Sequence, residues 1–104
     1  MASRAVLIDP AARAVTDVTV NLDTLTEVYS LLDCRTVEVV RTNKHGQLLL
    51  VDEDGSFKPD NQAFIAPTLY PGALVGKALI VGEDGAEMVS TSLIASKVPV
   101  HFYP

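Results

Sequence analysis

The chain has 104 residues, of which 48% are hydrophobic, and its eight basic and thirteen acidic residues give a formal net charge of −5. A chain of this length and hydrophobic content is expected to fold as one domain, residues 1–104, around a core that needs no metal or disulfide. The single cysteine, Cys34, excludes an intramolecular disulfide and any metal site built from several cysteines.

The distribution of charge and hydropathy restricts the partners of the chain. The basic residues are scattered along the sequence, whereas nucleic-acid binding requires clustered Lys and Arg to displace counterions. Direct nucleic-acid binding is therefore not expected. The sequence also has no N-terminal apolar run of signal-peptide length and no run of about 18 apolar residues that could span a membrane. We therefore predict no membrane association and a cytoplasmic location.

The first third of the chain predicts a β-hairpin followed by a helix. Residues 4–8 are nearly all apolar and residues 15–20 are rich in β-branched side chains, which indicates two strands joined by a turn at 9–13. Residues 21–33 place apolar side chains at helical spacing on one face. Asn21, Asp23 or a capping box from Thr24 to Glu27 could begin this helix, and the sequence leaves that choice open.

The remaining two thirds predict further strands. Residues 36–41 and 47–52 form a second hairpin, residues 59–64 a helical turn that begins at a proline, and residues 77–81 a fifth strand. A short edge strand at 87–89, a brief helix capped by Ser90 or Thr91, and an extended C-terminal segment at 98–104 follow. The fold class predicted is α+β, a mostly antiparallel sheet of about five strands with one main helix packed on a face.

Five sequence segments, in order, carry a resemblance to a known family. They are A-V-L-I-D-P, L-T-E-V-Y-S-L-L-D-C-R-T-V-E-V-V, L-L-V-D-E-D-G, P-D-N-Q-A and G-A-L-V-G-K-A-L-I-V-G. In this order they resemble an uncharacterised small domain of phages, plasmids and actinobacterial mobile elements, over most of the chain to about Gly85. In the family pattern an arginine usually follows the asparagine, where this chain has Gln62. The resemblance implies a mobile-element setting, in which such domains often accompany anti-restriction and other counter-defence functions, and it implies no established activity.

No group of residues in the sequence predicts chemistry. Cys34 and His45 are the only nucleophile–base pairing available, and no catalytic motif surrounds them. The two histidines and the cysteine lack the short spacing of metal ligands, and the run of carboxylates at 52–54 is typical of a solvated turn. We therefore expect no enzymatic activity, no cofactor and no metal site.

The stretch 59–82 is the candidate binding region because its prolines and glycines constrain the backbone beside a buried strand. Within it, Asn61 and Gln62 offer adjacent amides that both donate and accept hydrogen bonds. Tyr70 could stack on a ligand ring, and Lys77 could meet a phosphate or carboxylate. The alternatives are that Asn61 bonds to neighbouring backbone, that Tyr70 covers the core and that Lys77 protects a sheet edge.

Two functions of different classes follow from these observations. The first is a non-enzymatic interaction module that binds a protein partner or another copy of itself, and it predicts an exposed apolar patch. The second is a small-molecule binder that sequesters a nucleotide-like ligand, and it predicts a pocket around Asn61 and Lys77. The aromatic tail at 98–104 is expected to pack, either on its own chain or across a dimer.

Overall fold

The computed structural model describes residues 2–103, which form nine strands, one α-helix and two 3₁₀ turns. The strands are β1 (Ala2–Asp9), β2 (Ala14–Asn21), β3 (Val37–Arg41), β4 (Gln47–Asp52), β5 (Ala63–Ile65), β6 (Leu74–Val75), β7 (Ala78–Asp84), β8 (Glu87–Val89) and β9 (His101–Phe102). The helix α1 is Thr26–Leu32, and the 3₁₀ turns are Gly55–Phe57 and Ala95–Lys97.

The main sheet has six strands, which are the five predicted strands and the short edge strand predicted at 87–89. Its order is β2-β1-β7-β4-β3, with β8 paired to the far end of β7, and every pairing is antiparallel. Both predicted hairpins, β1–β2 and β3–β4, are confirmed, as is the short strand at 87–89. The central strand β7 is bordered by β1 and β4, which explains why residues 78–82 are all buried.

One face of the main sheet is covered by α1, which is much shorter than predicted. None of the candidate caps begins the helix, because the residue before it is Leu25 and no side chain caps it. Instead, the Glu27 carboxylate accepts a hydrogen bond from the Asn21 backbone N–H, and Asn21 Oδ1 accepts one from the backbone N–H of Asp23. These bonds hold the start of the predicted helix as a turn. The helix buries Val28 and Leu32 against the sheet.

The opposite face is covered by a second sheet of three strands, in the order β6-β5-β9, which the sequence analysis did not predict. The predicted helical turn at 59–64 is wrong. Residues 63–65 form strand β5 instead, in which the buried Phe64 lies between two half-buried side chains and enters the core. The helix predicted after Ser90 or Thr91 is also wrong, since only the 3₁₀ turn Ala95–Lys97 forms there.

The C-terminal segment packs on its own chain. β9 pairs with β5 so that Phe102 lies opposite Phe64, and Val98 and Val100 join the same core cluster. Pro104 lies outside the described residues. Among residues 2–103, no helix has the length and apolar character needed to cross a membrane.

Candidate functional site

Three of the four predicted site residues line one small cleft. Asn61, Gln62 and Lys77 border a cavity of about 40 Å³, together with Asp60, Gly76 and the turn that follows β1. The backbone closes this cleft, because the Gly76 N–H donates to the Gln62 carbonyl at 2.9 Å. Gly76 has φ +90°, and a Cβ there would lie 3.0 Å from Asn61 Nδ2, so only glycine fits this position without strain.

The Asn61 side chain is engaged within the fold. Its Nδ2 donates to the Gly55 carbonyl oxygen at 3.0 Å, which ties the candidate stretch to the 3₁₀ turn before it. The Gln62 side chain is exposed. Tyr70 does not line the cleft; it packs on the core cluster that lies between the two sheets. Lys77 lies between β6 and the central strand β7 and belongs to neither strand. Ligand binding by these four residues stays a prediction.

A second site, which the sequence analysis missed, surrounds the turn at 53–58. The carboxylates at 52–54 were predicted to be solvated, but the Asp52 side chain is only 4% exposed, and its Oδ2 lies 2.6 Å from Lys58 Nζ. Asp52 Oδ1 accepts a hydrogen bond from the Asp54 N–H at 2.9 Å, and Lys58 Nζ also donates to the Asp33 carbonyl at 3.2 Å. The turn is therefore held at both ends by side-chain contacts.

The Asp52–Lys58 ion pair of this turn affects the protonation of the Lys58 side chain. The hydrogen bond that the Lys58 ammonium donates to the Asp52 carboxylate raises the pKa of Lys58 above its ordinary value. Because the folded-state pKa is raised, the contribution of the pair to stability is complete below the ordinary lysine pKa and is lost as pH rises through the raised one.

Phe57 is the most exposed large hydrophobic residue of this turn and of the whole described chain. Its exposed fraction is 83%, against 47% for Val39, 41% for Tyr103 and 40% for Ile94. The Asn61 bond to Gly55 on one side and the Lys58 ion pair on the other fix the backbone that carries it. The turn therefore presents an aromatic ring to solvent on a constrained backbone. The signal in the sequence is a lone aromatic residue inside a polar turn, E-D-G-S-F-K-P-D.

The groups that could form a catalytic pair lie apart. Cys34 borders a cavity of about 240 Å³ with Asp52, Lys58 and neighbouring polar residues, at the end of the β3–β4 hairpin where Val37 pairs with Asp52. His45 is in the turn at the other end of this hairpin, roughly 15 Å away along the strand. Burial, and then the nearby Asp52 carboxylate, raise the pKa of the Cys34 thiol. Residues 2–103 contain no group of three or more His, Cys, Asp or Glu placed to hold a metal ion.

The chain is similar to known proteins along most of its length. Residues 3–100 match the model of DUF3846, described as a domain of unknown function. The chain belongs to this family. A member of the curated proteins, "Uncharacterized protein y4iR" of Sinorhizobium fredii (strain NBRC 101917 / NGR234), is 34% identical over 104 residues. That alignment covers 98% of this chain and 63% of the relative, so the chain spans less than two thirds of the relative's length. No solved structure gives a significant match.

Membership of DUF3846 confirms the resemblance to an uncharacterised domain family, and the mobile-element setting stays a prediction. Neither the family description nor the relative's name states an activity. The functional interpretation of this DUF3846 domain therefore depends on the two sites described above, the cleft at Asn61 and the turn that carries Phe57.

Proposed function

We propose that this DUF3846 domain is a small non-enzymatic interaction module that binds a protein partner through the turn at 53–58. The observation that supports this most directly is the 83% exposure of Phe57 on a backbone held by the Asp52–Lys58 ion pair and the Asn61 bond. Aromatic residues dominate binding energy at protein interfaces. A side chain presented on an ordered backbone also loses less conformational freedom when it binds.

The charge around Phe57 defines the chemistry of the partner. Three carboxylates close to Phe57 in the sequence are exposed, namely Glu53, Asp54 and Asp60. The Lys58 ammonium is already paired with Asp52. The surface is thus a single apolar anchor in acidic surroundings, consistent with the net charge of −5. The partner that fits is a protein with an apolar pocket and a basic rim, because complementary charge steers and orients association.

The small-molecule alternative receives less support from the geometry. The cleft at Asn61, Gln62 and Lys77 has a volume of about 40 Å³, whereas sites for small molecules and cofactors occupy roughly 300–1,000 Å³. The Asn61 amide that would contact a ligand also donates to Gly55. For these reasons a protein partner is preferred to a nucleotide-like ligand.

The proposed setting follows from the sequence resemblance. We place the protein in the cytoplasm of a cell that carries a mobile element, where it would act as an accessory or counter-defence protein by binding a host or phage protein. The described structure contributes only the surface for such a contact.

Site-specific photocrosslinking tests the proposal. A photoreactive phenylalanine analogue is placed at Phe57 in the full chain and, in a matched control, at His45, which lies in an exposed turn at the other end of the β3–β4 hairpin. We expect a discrete heterologous adduct from position 57 and none from position 45. The protein identified in that adduct should bind Phe57→Ala at least about tenfold more weakly than wild type.

The same experiment can contradict the proposal. Equal crosslinking from both positions would mean that Phe57 is not a specific contact. An adduct with a second copy of this chain alone would reduce the turn to an oligomer interface. Because the ring is exposed, Phe57→Ala should change the free energy of unfolding by less than about 0.5 kcal/mol, so weaker binding would not reflect loss of the fold.

A further inference from the structure

The main sheet ends in two open strand edges that differ in how they are protected. β3 has five residues and carries Glu38 and Arg41. Arg41 is paired with Glu83 at 3.0 Å, so Glu38 is the charged side chain that discourages pairing at this edge. β2 has eight residues, A-V-T-D-V-T-V-N, without lysine or proline and with Asp17 as its single charged residue. An edge of this length and composition is a template for another strand.

Asp17 does not protect the β2 edge, because its carboxylate is already engaged. Asp17 Oδ1 lies 3.3 Å from Arg4 Nη2, and it accepts a hydrogen bond from the Ala95 N–H at 2.9 Å. Both partners belong to the same chain. The charge is thus held against the second 3₁₀ turn and β1 and is balanced by one arginine.

A groove lies alongside this edge. It has a volume of about 510 Å³ and is lined by Arg4, Asp17, Val18, Thr19 and Leu31. Val18 and Leu31 are half-buried and pack on the core cluster beneath α1. The two charged lining residues pair with each other, so the groove is neutral although the chain carries a net charge of −5. Two copies that meet at this neutral groove therefore avoid the charge repulsion expected at other parts of the acidic surface.

We propose that β2 pairs in antiparallel register with β2 of a second copy, about a two-fold axis at Val18. Directly opposed residues in an antiparallel pair share a face, so this axis must pass beside a residue. Centring it on Asp17 would set two carboxylates opposite each other. Centring it on Val18 opposes Val18 to itself, Thr16 to Val20 and Asp17 to Thr19, over residues 16–20 of each strand. The pairing ends before Asn21, because its backbone N–H already donates to the Glu27 carboxylate.

The same symmetry fills the groove. A two-fold axis perpendicular to the sheet keeps the α1 helices of both copies on the same face of the joined sheet. Val18 and Leu31 of one copy therefore meet Val18 and Leu31 of the other. The two six-stranded sheets become one continuous sheet. The occupant of the groove is thus a second copy of this chain, because the edge is complementary to itself in charge, in apolar content and in register.

Sedimentation velocity under reducing conditions tests the dimer directly. The wild-type chain of 11.1 kDa should sediment as a dimer of twice that mass. Val18→Lys should weaken the dimer at least about tenfold, because two ammonium groups would then oppose each other at the axis. The matched variant is Val39→Lys on the other edge strand, which should leave the dimer intact. A monomeric wild type at about 0.2 mM would overturn the proposal, as would Val39→Lys dissociating the dimer while Val18→Lys does not.

A crosslink checks the register even where Val18→Lys fails to fold. In a Cys34→Ser background, Val18→Cys should form an intermolecular disulfide on mild oxidation, because opposed Cβ atoms lie about 4.5–5.5 Å apart. Val39→Cys in the same background should not. Equal crosslinking by both, or by neither, would overturn this register. Phe57→Ala should dimerise as wild type does, which separates this interface from the partner contact proposed above.

Discussion

The stretch at 59–62 and the turn at 53–58 are adjacent in the chain, yet they use their polar groups in opposite ways. Asn61 directs its amide inward to the Gly55 carbonyl. The turn pairs Lys58 with a buried Asp52 and leaves Phe57 exposed. The first segment therefore acts as a brace for the second, and the surface available to a partner is on the braced turn.

The comparison shows that residue chemistry alone does not locate a binding surface. Amides and a lysine can bind many ligands, but here Asn61 is committed to the fold. A phenylalanine in a polar turn offers little chemistry, but its exposure on a fixed backbone makes it the stronger candidate for a contact. Three sets of variants test whether the brace and the turn are coupled in this way.

The largest effect is expected from Gly55→Ala, where the turn meets the second sheet. A Cβ at this position would lie 2.6 Å from the carbonyl oxygen of Val75, which belongs to the backbone of β6. The backbone must shift to accommodate it, and we expect a loss of about 1–3 kcal/mol in the free energy of unfolding, measured by urea denaturation.

The matched control for that substitution is Gly72→Ala. A Cβ at Gly72 would come within 3.2 Å of the Tyr70 ring, a side chain that can move, rather than of backbone. Its cost should be clearly smaller than that of Gly55→Ala. Equal costs at the two positions would mean that the turn does not pack against β6 in solution.

A smaller effect is expected from Asn61→Ala, which tests the brace itself. The substitution removes the bond to the Gly55 carbonyl, and a lost hydrogen bond of this kind costs about 1 kcal/mol. Gln62→Ala, at an exposed amide next along the chain, should change stability by less than about 0.5 kcal/mol. Thermal or urea denaturation of the pair provides the measurement. The brace is disproved if Gln62→Ala costs as much as Asn61→Ala.

Local patterns in the sequence predicted much of the fold. The β-branched alternation of β2, the hairpins and the buried strand β7 depend on neighbours along the chain, so a periodicity reveals them. The second sheet could not be predicted in this way, because β5 and β6 are only three and two residues long. β5 also pairs with β9, more than thirty residues later, so no local pattern records the contact.

The candidate site was also less predictable than the main sheet, because it depends on individual side-chain contacts. Asp52 belongs to a run of carboxylates that is normally solvated, and its burial depends on Lys58 folding back across the turn. Bonding of the Asn61 amide to neighbouring backbone was one of the alternatives that the sequence left open, but the sequence could not show that the acceptor is the Gly55 carbonyl. Both outcomes depend on side chains that reach across a turn to a residue six positions away.

The smallest expected effect is on the Cys34 thiol, which reports the ion pair of the turn. Burial and then the Asp52 carboxylate raise the pKa of Cys34, whereas the Lys58 ammonium lowers it. The pH midpoint of iodoacetamide alkylation should therefore lie above that of a free thiol, should fall in Asp52→Asn, and should rise in Lys58→Met. Lys44→Met, in the turn at the opposite end of the β3–β4 hairpin, serves as the control and should not shift it. If Asp52→Asn and Lys58→Met move the midpoint in the same direction, the two charges do not flank the thiol as described, and the turn that carries Phe57 is not held by this pair.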